Sequence, residues 1–385
     1  MKMQIGINAS RARSGGARAH LNGILSEFDS QVYGIHKIHL FAFKDLLDGL
    51  PNFPWLVKHC PVELSKGLFV QLWWEKFCLP MMLADVGCDI LLNVDAGSIC
   101  RFMPSITMSR DMLSYEPGEM DRYKFSLARV RLLALKHVQN AAFRHATGVI
   151  FLTNHAAHVI QKSCGKLENV KIIPHGVSDL FRDKTANDDR RNNDGVIRLL
   201  YVSNVDLYKH QWHVVVAVEI LRLRGVKVHL TLIGGGDGPA SERLNRQIIK
   251  SDPEGEYVKC LPFLQHEKIP DQLACADIFV FASSCENMPN TLVEAMAAGL
   301  PIVSSDRGPM PEILGDAGLY FNPESPDSIA SAIYKMASNT SMRLRLSRKS
   351  KLKSDHYSWK ICAEQTWRFV SSAKNAKNER GGSFG

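Results

Sequence analysis

Two glutamates, Glu286 and Glu294, stand with seven residues between them in the second half of the 385-residue chain. A carboxylate accepts two hydroxyl hydrogen bonds readily, so such a pair suits a ligand rich in hydroxyl groups. The stretch between them, Asn287-Met288-Pro289-Asn290-Thr291-Leu292-Val293, follows an apolar strand-like run and leads into a helix expected to begin near Thr291. A helix start presents free N–H groups and the positive end of the helix dipole, which together hold a phosphate well. A structural reading of the same residues stands beside this one. Thr291-x-x-Glu294 has the form of a capping box, and Glu286 alone could be a solvated loop side chain.

Three further segments carry residue types of the same kind. Gly234-Gly235-Gly236-Asp237-Gly238 follows a strand-like run. Its glycines would let backbone amides approach a phosphate closely, although a tight turn explains them as well. It has neither the GxGxxG nor the GxxxxGK[ST] spacing. Lys209 follows the strand 197–202, so its ammonium could meet phosphate charge in the same crevice; a solvated surface lysine is the alternative. Gly15-Gly16, with Arg18, lies in an expected loop from Ser10 to Arg18. That loop would either roof a bound ligand or make an ordinary turn.

These residues need elements to carry them. Strands are expected at 3–9, 39–43, 89–94, 106–109, 148–152 and 170–173, and again at 197–202, 228–233, 257–260, 277–282 and 301–304. Helical spacing falls between them, including a basic amphipathic helix over 121–145 with Phe125, Leu127, Val130, Leu133 and Leu135 as its apolar face. Strands alternating with helices argue for parallel sheets covered on both faces. In open sheets of this kind, ligands gather at the carboxyl ends of the strands, where all four segments above would lie. The polar stretch 183–195 contains nothing apolar larger than alanine and is the expected linker. It separates a first domain, 1–185, from a second, 196–360, in an α/β chain too long for one core.

Charge is uneven. Residues 1–185 hold 22 Lys and Arg against 16 Asp and Glu, residues 186–360 hold 21 of each, and residues 361–385 hold 4 against 2. The excess in the first domain suits anionic lipid or a phosphate-bearing acceptor, or serves solubility alone. No nucleic-acid-binding motif occurs, so no nucleic-acid partner is expected. The run 79–100 is the nearest to an apolar span, and Asp85, Asp89, Asn93 and Asp95 break it. The first residues enter a strand pattern without the apolar stretch of a secretory signal. The nine cysteines are scattered and include no CxxC pair, which favours a reducing cytoplasm over disulfides or zinc.

Together the segments resemble the retaining glycosyltransferase family 4. The likeness is strongest over 199–314 and includes Pro174-His175-Gly176-Val177, Glu286 to Glu294 with its continuation to Val303, and Pro311-Glu312-Ile313-Leu314. The resemblance implies the GT-B architecture: two Rossmann-like parallel-sheet domains with a cleft between them, and a C-terminal helix, about 361–385, packed back on the first. It implies Glu286 on the donor sugar, Glu294 on the ribose, Lys209 on the diphosphate, and the Asn290 and Thr291 amides on phosphate or sugar. Gly235 and Gly236 would approach the donor, with Gly15 and Gly16 near it. Two positions depart from the family pattern. Asn204 stands where an arginine is usual, and Arg110-Asp111 stands where His-Asp is usual near the reacting centre.

The resemblance further implies no cofactor and no bound metal, and the Asp-x-Asp motif of the metal-dependent architecture is absent from the sequence. The substrates would be a nucleotide sugar, either GDP-mannose or a UDP-hexose, and a saccharide or lipid-linked saccharide acceptor. The first domain's charge, Trp73-Trp74 and the 121–145 helix point to an acceptor at the inner face of a bacterial membrane, as in O-antigen assembly. The alternatives are an epimerase of the same fold and a non-catalytic nucleotide-sugar-binding protein.

Overall fold

The computed structural model describes residues 3–12, 15–183 and 195–381, with side chains to residue 373. The chain divides into two compact units, Met1–Gly176 with Ser358–Gly385, and Val177–Tyr357. The expected linker 183–195 lies outside the described residues except for its two ends. The chain instead leaves the first unit at Gly176 and re-enters it at Ser358, inside the segments expected to belong to the first and second domains respectively. Packing explains the early exit. Val177 donates its amide to the Tyr357 carbonyl at 3.0 Å, and Phe181, fully buried, belongs to the second core. A Cβ on Gly176 would collide with the Trp359 backbone, so glycine is required where the outgoing and returning chains touch.

The first unit is a seven-stranded parallel sheet of β1 (Met3–Asn8), β2 (Ile35–Phe41), β3 (Leu56–His59), β4 (Ile90–Asn93), β5 (Ser105–Met108), β6 (Gly148–Phe151) and β7 (Val170–Ile172). Its order is β3-β2-β1-β4-β5-β6-β7. The second unit is a six-stranded parallel sheet of β8 (Ile197–Val202), β9 (Val228–Ile233), β10 (Val258–Leu261), β11 (Ile278–Phe281), β12 (Ile302–Ser305) and β13 (Leu319–Phe321), ordered β10-β9-β8-β11-β12-β13. Central strands such as β4, β5, β11 and β12 are buried throughout, as continuous apolar runs covered on both faces require.

Register separates the two faces of the first sheet. Asn8, Phe41, Leu91, Asn93, Thr107, Val149 and Phe151 share one face. Against it lie α2 (Leu68–Trp73), the π-turn Trp74–Cys78, α3 (Leu79–Asp85) and α4 (Leu127–His145). Trp74, Leu79 and Leu83 pack with Phe41 and Leu91, and Phe143 packs with Phe151 at 5.7 Å between rings. The other face receives α1 (Gly15–Ser26) and the C-terminal helix, Trp359–Gly381. Gly23 is an interior helix glycine because the Trp359 indole occupies the space of a Cβ, and Gly148 does the same for Phe369. Trp367, fully buried, donates its indole N–H to the Ile24 carbonyl at 2.8 Å.

Two expectations need correction. Gly15-Gly16 opens α1 instead of lying in a loop, because Leu21, Ile24 and Leu25 of that helix are buried and hold its first turn in place. The 121–145 helix begins at Leu127, where Ser126 accepts the Arg129 amide. Of the apolar residues singled out in this segment, Phe125, Leu127, Val130 and Leu133 are exposed, while Gln139, Asn140, Ala142 and Phe143 of the helix are buried. Of the Trp73-Trp74 pair, Trp73 is exposed and Trp74 is core.

Replacing Trp367 tests the packing of the last helix. Trp367→Ala is expected to cost about 3–5 kcal/mol in chemical denaturation. Trp367→Phe should recover much of this while leaving the Ile24 carbonyl without its donor.

Candidate active site

The second unit assembles its polar groups at the carboxyl ends of β8, β9 and β11. Lys209 sits in a short turn after β8 and is 7% exposed. Its ammonium pairs with the Glu286 carboxylate, which arrives on the loop after β11. The rings of Tyr208 and Phe281 flank the ammonium, with centroids at 4.9 and 5.8 Å. Tyr201 donates its hydroxyl to the Lys209 carbonyl at 2.7 Å and so fixes the turn. Burial, reinforced by the nearby Glu286 charge, keeps that phenol protonated. The Ser284 amide donates to the Tyr208 carbonyl at 2.8 Å, tying the Lys209 turn to the Glu286 loop. A buried ion pair of this kind fixes both chains' positions, because either charge alone would be costly there.

Helix α5 (Asn290–Ala297) starts three residues beyond Asn287. Its N-cap position is Pro289, and no side chain caps it. The capping-box reading of Thr291 and Glu294 therefore fails: the helix begins one residue before Thr291, and Glu294 bonds elsewhere. The Glu294 carboxylate, 8% exposed, takes a hydrogen bond from His266 Nε2 at 2.8 Å. The amide ends of Asn290 and Thr291 thus form a helix start without a side-chain acceptor. The Asn290 carboxamide oxygen is buried without a partner among the described residues. An anion would complete the amides, and a hydroxyl donor the Asn290 oxygen.

The glycine loop closes the same edge. Gly234 adopts φ +138, and a Cβ there would collide with the Ser203 carbonyl; one at Gly236 would crowd the Val205 carbonyl. Both positions hold the loop flat against the end of β8, with Gly235 left open. A cavity of about 140 Å³ beneath it is lined by Ser203, Val205, Gln211 and Gly234 to Gly236. Asn204 is exposed, and its carbonyl accepts from Gln211 Nε2 at 2.9 Å, so this position supplies no cation.

In the first unit, Arg110 and Asp111 follow β5 and turn apart. Burial lowers the Arg110 guanidinium to about 10, with Asp95 opposing, so it stays a cation at neutral pH. Its charge acts on His20 and His175, two buried imidazoles with ring centroids 4.5 Å apart. Burial is the main cause that holds both well below the ordinary imidazole range; for His20 the neighbouring His175 comes next and then Arg110, and for His175 Arg110 comes next. Neither ring nitrogen of His20 has a partner among the described residues. Asp111 accepts the Leu113 amide at 3.0 Å and bonds Gln139 of α4. Burial and the neighbouring Asp95 raise its carboxyl, and those bonds pull the other way. Gly15 and Gly16 stand at the start of α1 with open space around Gly15. Among the described residues no cluster of three metal-ligating side chains occurs, and all nine cysteines are free.

Sequence reasoning did not identify His266, His20 or Asp95. His266 carries no motif; only the fold brings the segment after β10 beside Glu294. His175 was visible within Pro174-His175-Gly176-Val177, but nothing in the sequence joined it to His20.

Residues 183–353 match the family model described as glycosyl transferases group 1. That match falls within the second unit. The chain is 26% identical to O-antigen chain mannosyltransferase B of Escherichia coli over 43% of its own length and 44% of that protein. It is 36% identical to the amylovoran biosynthesis glycosyltransferase AmsK of Erwinia amylovora over 31% of its length and 30% of that protein. The chain thus spans less than half the length of these curated relatives. Whole-chain similarity comes from solved structures. Sucrose-phosphate synthase of Thermosynechococcus elongatus matches with a TM-score of 0.78 at 18% identity, over 97% of this chain and all of that one. Anabaena HepE in complex with UDP-glucose matches with 0.72 at 18%, over 96% and all of that chain. The fold is the GT-B glycosyltransferase fold.

The hydrogen bond to Glu294 raises the imidazole of His266 above its ordinary range, against the effect of burial. The stability this pair contributes is therefore fully present below about pH 6.5. It is lost as pH rises through the raised value. His266→Ala is expected to lower the thermal midpoint more at pH 6 than at pH 9 in calorimetric scans. An equal drop at both would contradict the pairing.

Proposed function

We propose that the chain transfers a hexose from a nucleotide sugar to a saccharide or lipid-linked saccharide acceptor, with retention at the anomeric carbon and without a metal. One observation carries this reading: an uncapped helix start stands between Glu286 and Glu294, with Lys209 paired to the first of them. That arrangement offers an ammonium and free amides to a diphosphate, and carboxylates to hydroxyl groups on either side of it.

In this reading the diphosphate lies against the Asn290 and Thr291 amides and the Gly235-Gly236 loop, and it draws Lys209 from Glu286. Glu286, freed from the ammonium, accepts hydroxyls of the donor sugar. Glu294 accepts those of the ribose, with His266 holding its other side. As the bond to the anomeric carbon breaks, charge grows on the departing phosphate, where the lysine and the amides stabilise it. The acceptor hydroxyl attacks on the face the phosphate leaves, and the phosphate takes its proton. In this reading Arg110 of the first unit is a cation for an acceptor phosphate, and Asp111 fixes the loop that carries it.

HepE was crystallised with UDP-glucose, and one relative is named an O-antigen mannosyltransferase. The one name supports a UDP-hexose donor and the other a mannosyl donor, which we take to be GDP-mannose, and a role in O-antigen assembly; we place that role at the cytoplasmic side of a bacterial membrane. The first-unit charge excess fits an acceptor carried on lipid. Among the described residues no helix is long and apolar enough to cross a membrane.

Transfer is read by nucleoside diphosphate release from a donor panel offered with lipid-linked acceptors. Glu286→Ala and Glu286→Gln should each lower kcat by about 10²-fold or more, since the group is asked to orient the reacting sugar. Near-normal turnover in both removes Glu286 from the site. Product NMR should show the donor's anomeric configuration kept, and EDTA should leave the rate unchanged. Sugar interconversion without any acceptor would instead favour an epimerase.

A further inference from the structure

Two exposed apolar stripes lie on the same helical layer of the first unit. One follows the crossover between β3 and β4. There Phe69 is 86% exposed and Trp73 55%, with Phe77 and Met81 exposed beyond them. The other is the start of α4, where Phe125 is fully exposed, Leu127 88% and Val130 63%, followed by Leu133. Register and packing put both on one face of the sheet, since Trp74 and Leu83 meet Leu91, and Phe143 meets Phe151. A soluble chain rarely leaves aromatic and aliphatic side chains this bare on two neighbouring elements of one face.

The exposed charges within the two stripes are cationic. From Lys66 to Ala84 the sole acidic residue is Glu75, which is fully buried, whereas Lys66 and Lys76 are exposed. From Lys124 to His145 there is no acidic residue at all. Lys124 and Arg131 are exposed there, and Arg129 is engaged by Asp121 at 3.0 Å. Apolar side chains set among an excess of cations, with the exposed carboxylates Asp85 and the Arg129-paired Asp121 only at the ends of the two segments, match a bilayer surface bearing anionic headgroups, where the stripe enters the acyl boundary and the cations meet phosphate.

The inner side of the first stripe is anchored to the candidate site edge of its own sheet. The π-turn at Trp74–Cys78 turns Glu75 inward while Trp73 and Phe77 stay outside. Glu75 accepts Asn8 Nδ2 at 2.8 Å and Arg11 at 3.1 Å, and Gln71 donates to the Ser10 carbonyl at 3.0 Å. Those partners lie at the carboxyl end of β1 and in the segment leading to Gly15-Gly16. The second stripe begins just after the loop that carries Arg110 and Asp111.

We propose that this face is a bilayer-docking surface: Phe69, Trp73 and Phe77, with Phe125, Leu127 and Val130, insert into a leaflet rich in anionic headgroups, and Glu75 and Gln71 tie the inserted element to the acceptor edge of the sheet. The proposal gives a place to the lipid-linked acceptor of the preceding section and rests on that reading only for the acceptor. The full chain is tested by cosedimentation with phosphatidylcholine vesicles, alone and with about one third phosphatidylglycerol. The wild type should partition to the anionic vesicles at least about tenfold better. Phe69→Glu/Trp73→Glu and Leu127→Glu/Val130→Glu should each lose about tenfold of that partition. All four positions are exposed, so circular dichroism and donor hydrolysis in solution should be unchanged. Equal binding by wild type and variants, or none by the wild type, overturns the surface. So does a wild-type dimer in light scattering that both variants convert to monomer, since a second copy would then cover the stripes. A chain that binds vesicles but turns over no donor keeps this surface and removes the transferase reading instead.

Discussion

The buried pairing of Lys209 with Glu286 is the constraint on which the second unit's site depends. Neither charge could stay in that position alone: the ammonium is nearly enclosed by Tyr208, Phe281 and the loop after β11. Paired, they lock two loops from strands far apart in sequence, with the Tyr201 hydroxyl and the Ser284 amide holding the backbone on either side. The arrangement is also self-silencing. Without a ligand each partner neutralises the other, so an incoming anion must replace a carboxylate in order to reach the ammonium. On the proposed reading, the affinity for a diphosphate there is a difference between two ionic contacts.

The second unit was largely legible in the residues. Its strands, the glycine loop and the two glutamates fell where alternating patterns and turn chemistry put them, because a parallel sheet buried on both faces leaves continuous apolar runs. The capping-box alternative for Thr291 and Glu294 was equally consistent with the sequence. Only the fold decides against it, by bringing His266 from a separate loop to the Glu294 carboxylate. Long-range pairs between single polar residues leave no periodic trace.

The first unit was less legible, for a different reason. Helical spacing over 121–145 marks an apolar face but says nothing of what covers it, and the fold leaves the first half of that face bare. Adjacent positions also diverge: Trp73 and Trp74, or Arg110 and Asp111, read as pairs in sequence but serve opposite sides of the backbone. Polar composition drew the expected linker to 183–195, whereas the division at Gly176 is marked by one glycine whose need for closeness appears only beside Trp359.

The π-turn at Trp74–Cys78 has a consequence for how this chain can vary. A π-turn is an α-helix carrying one extra residue. Deleting one residue there would restore an ordinary helix and rotate everything before it by about 100°. The aromatic stripe would then swing off its face and Gln71 would lose the Ser10 carbonyl, although no side chain had been exchanged. The segment should therefore accept many replacements of its outward residues and very few changes of its length.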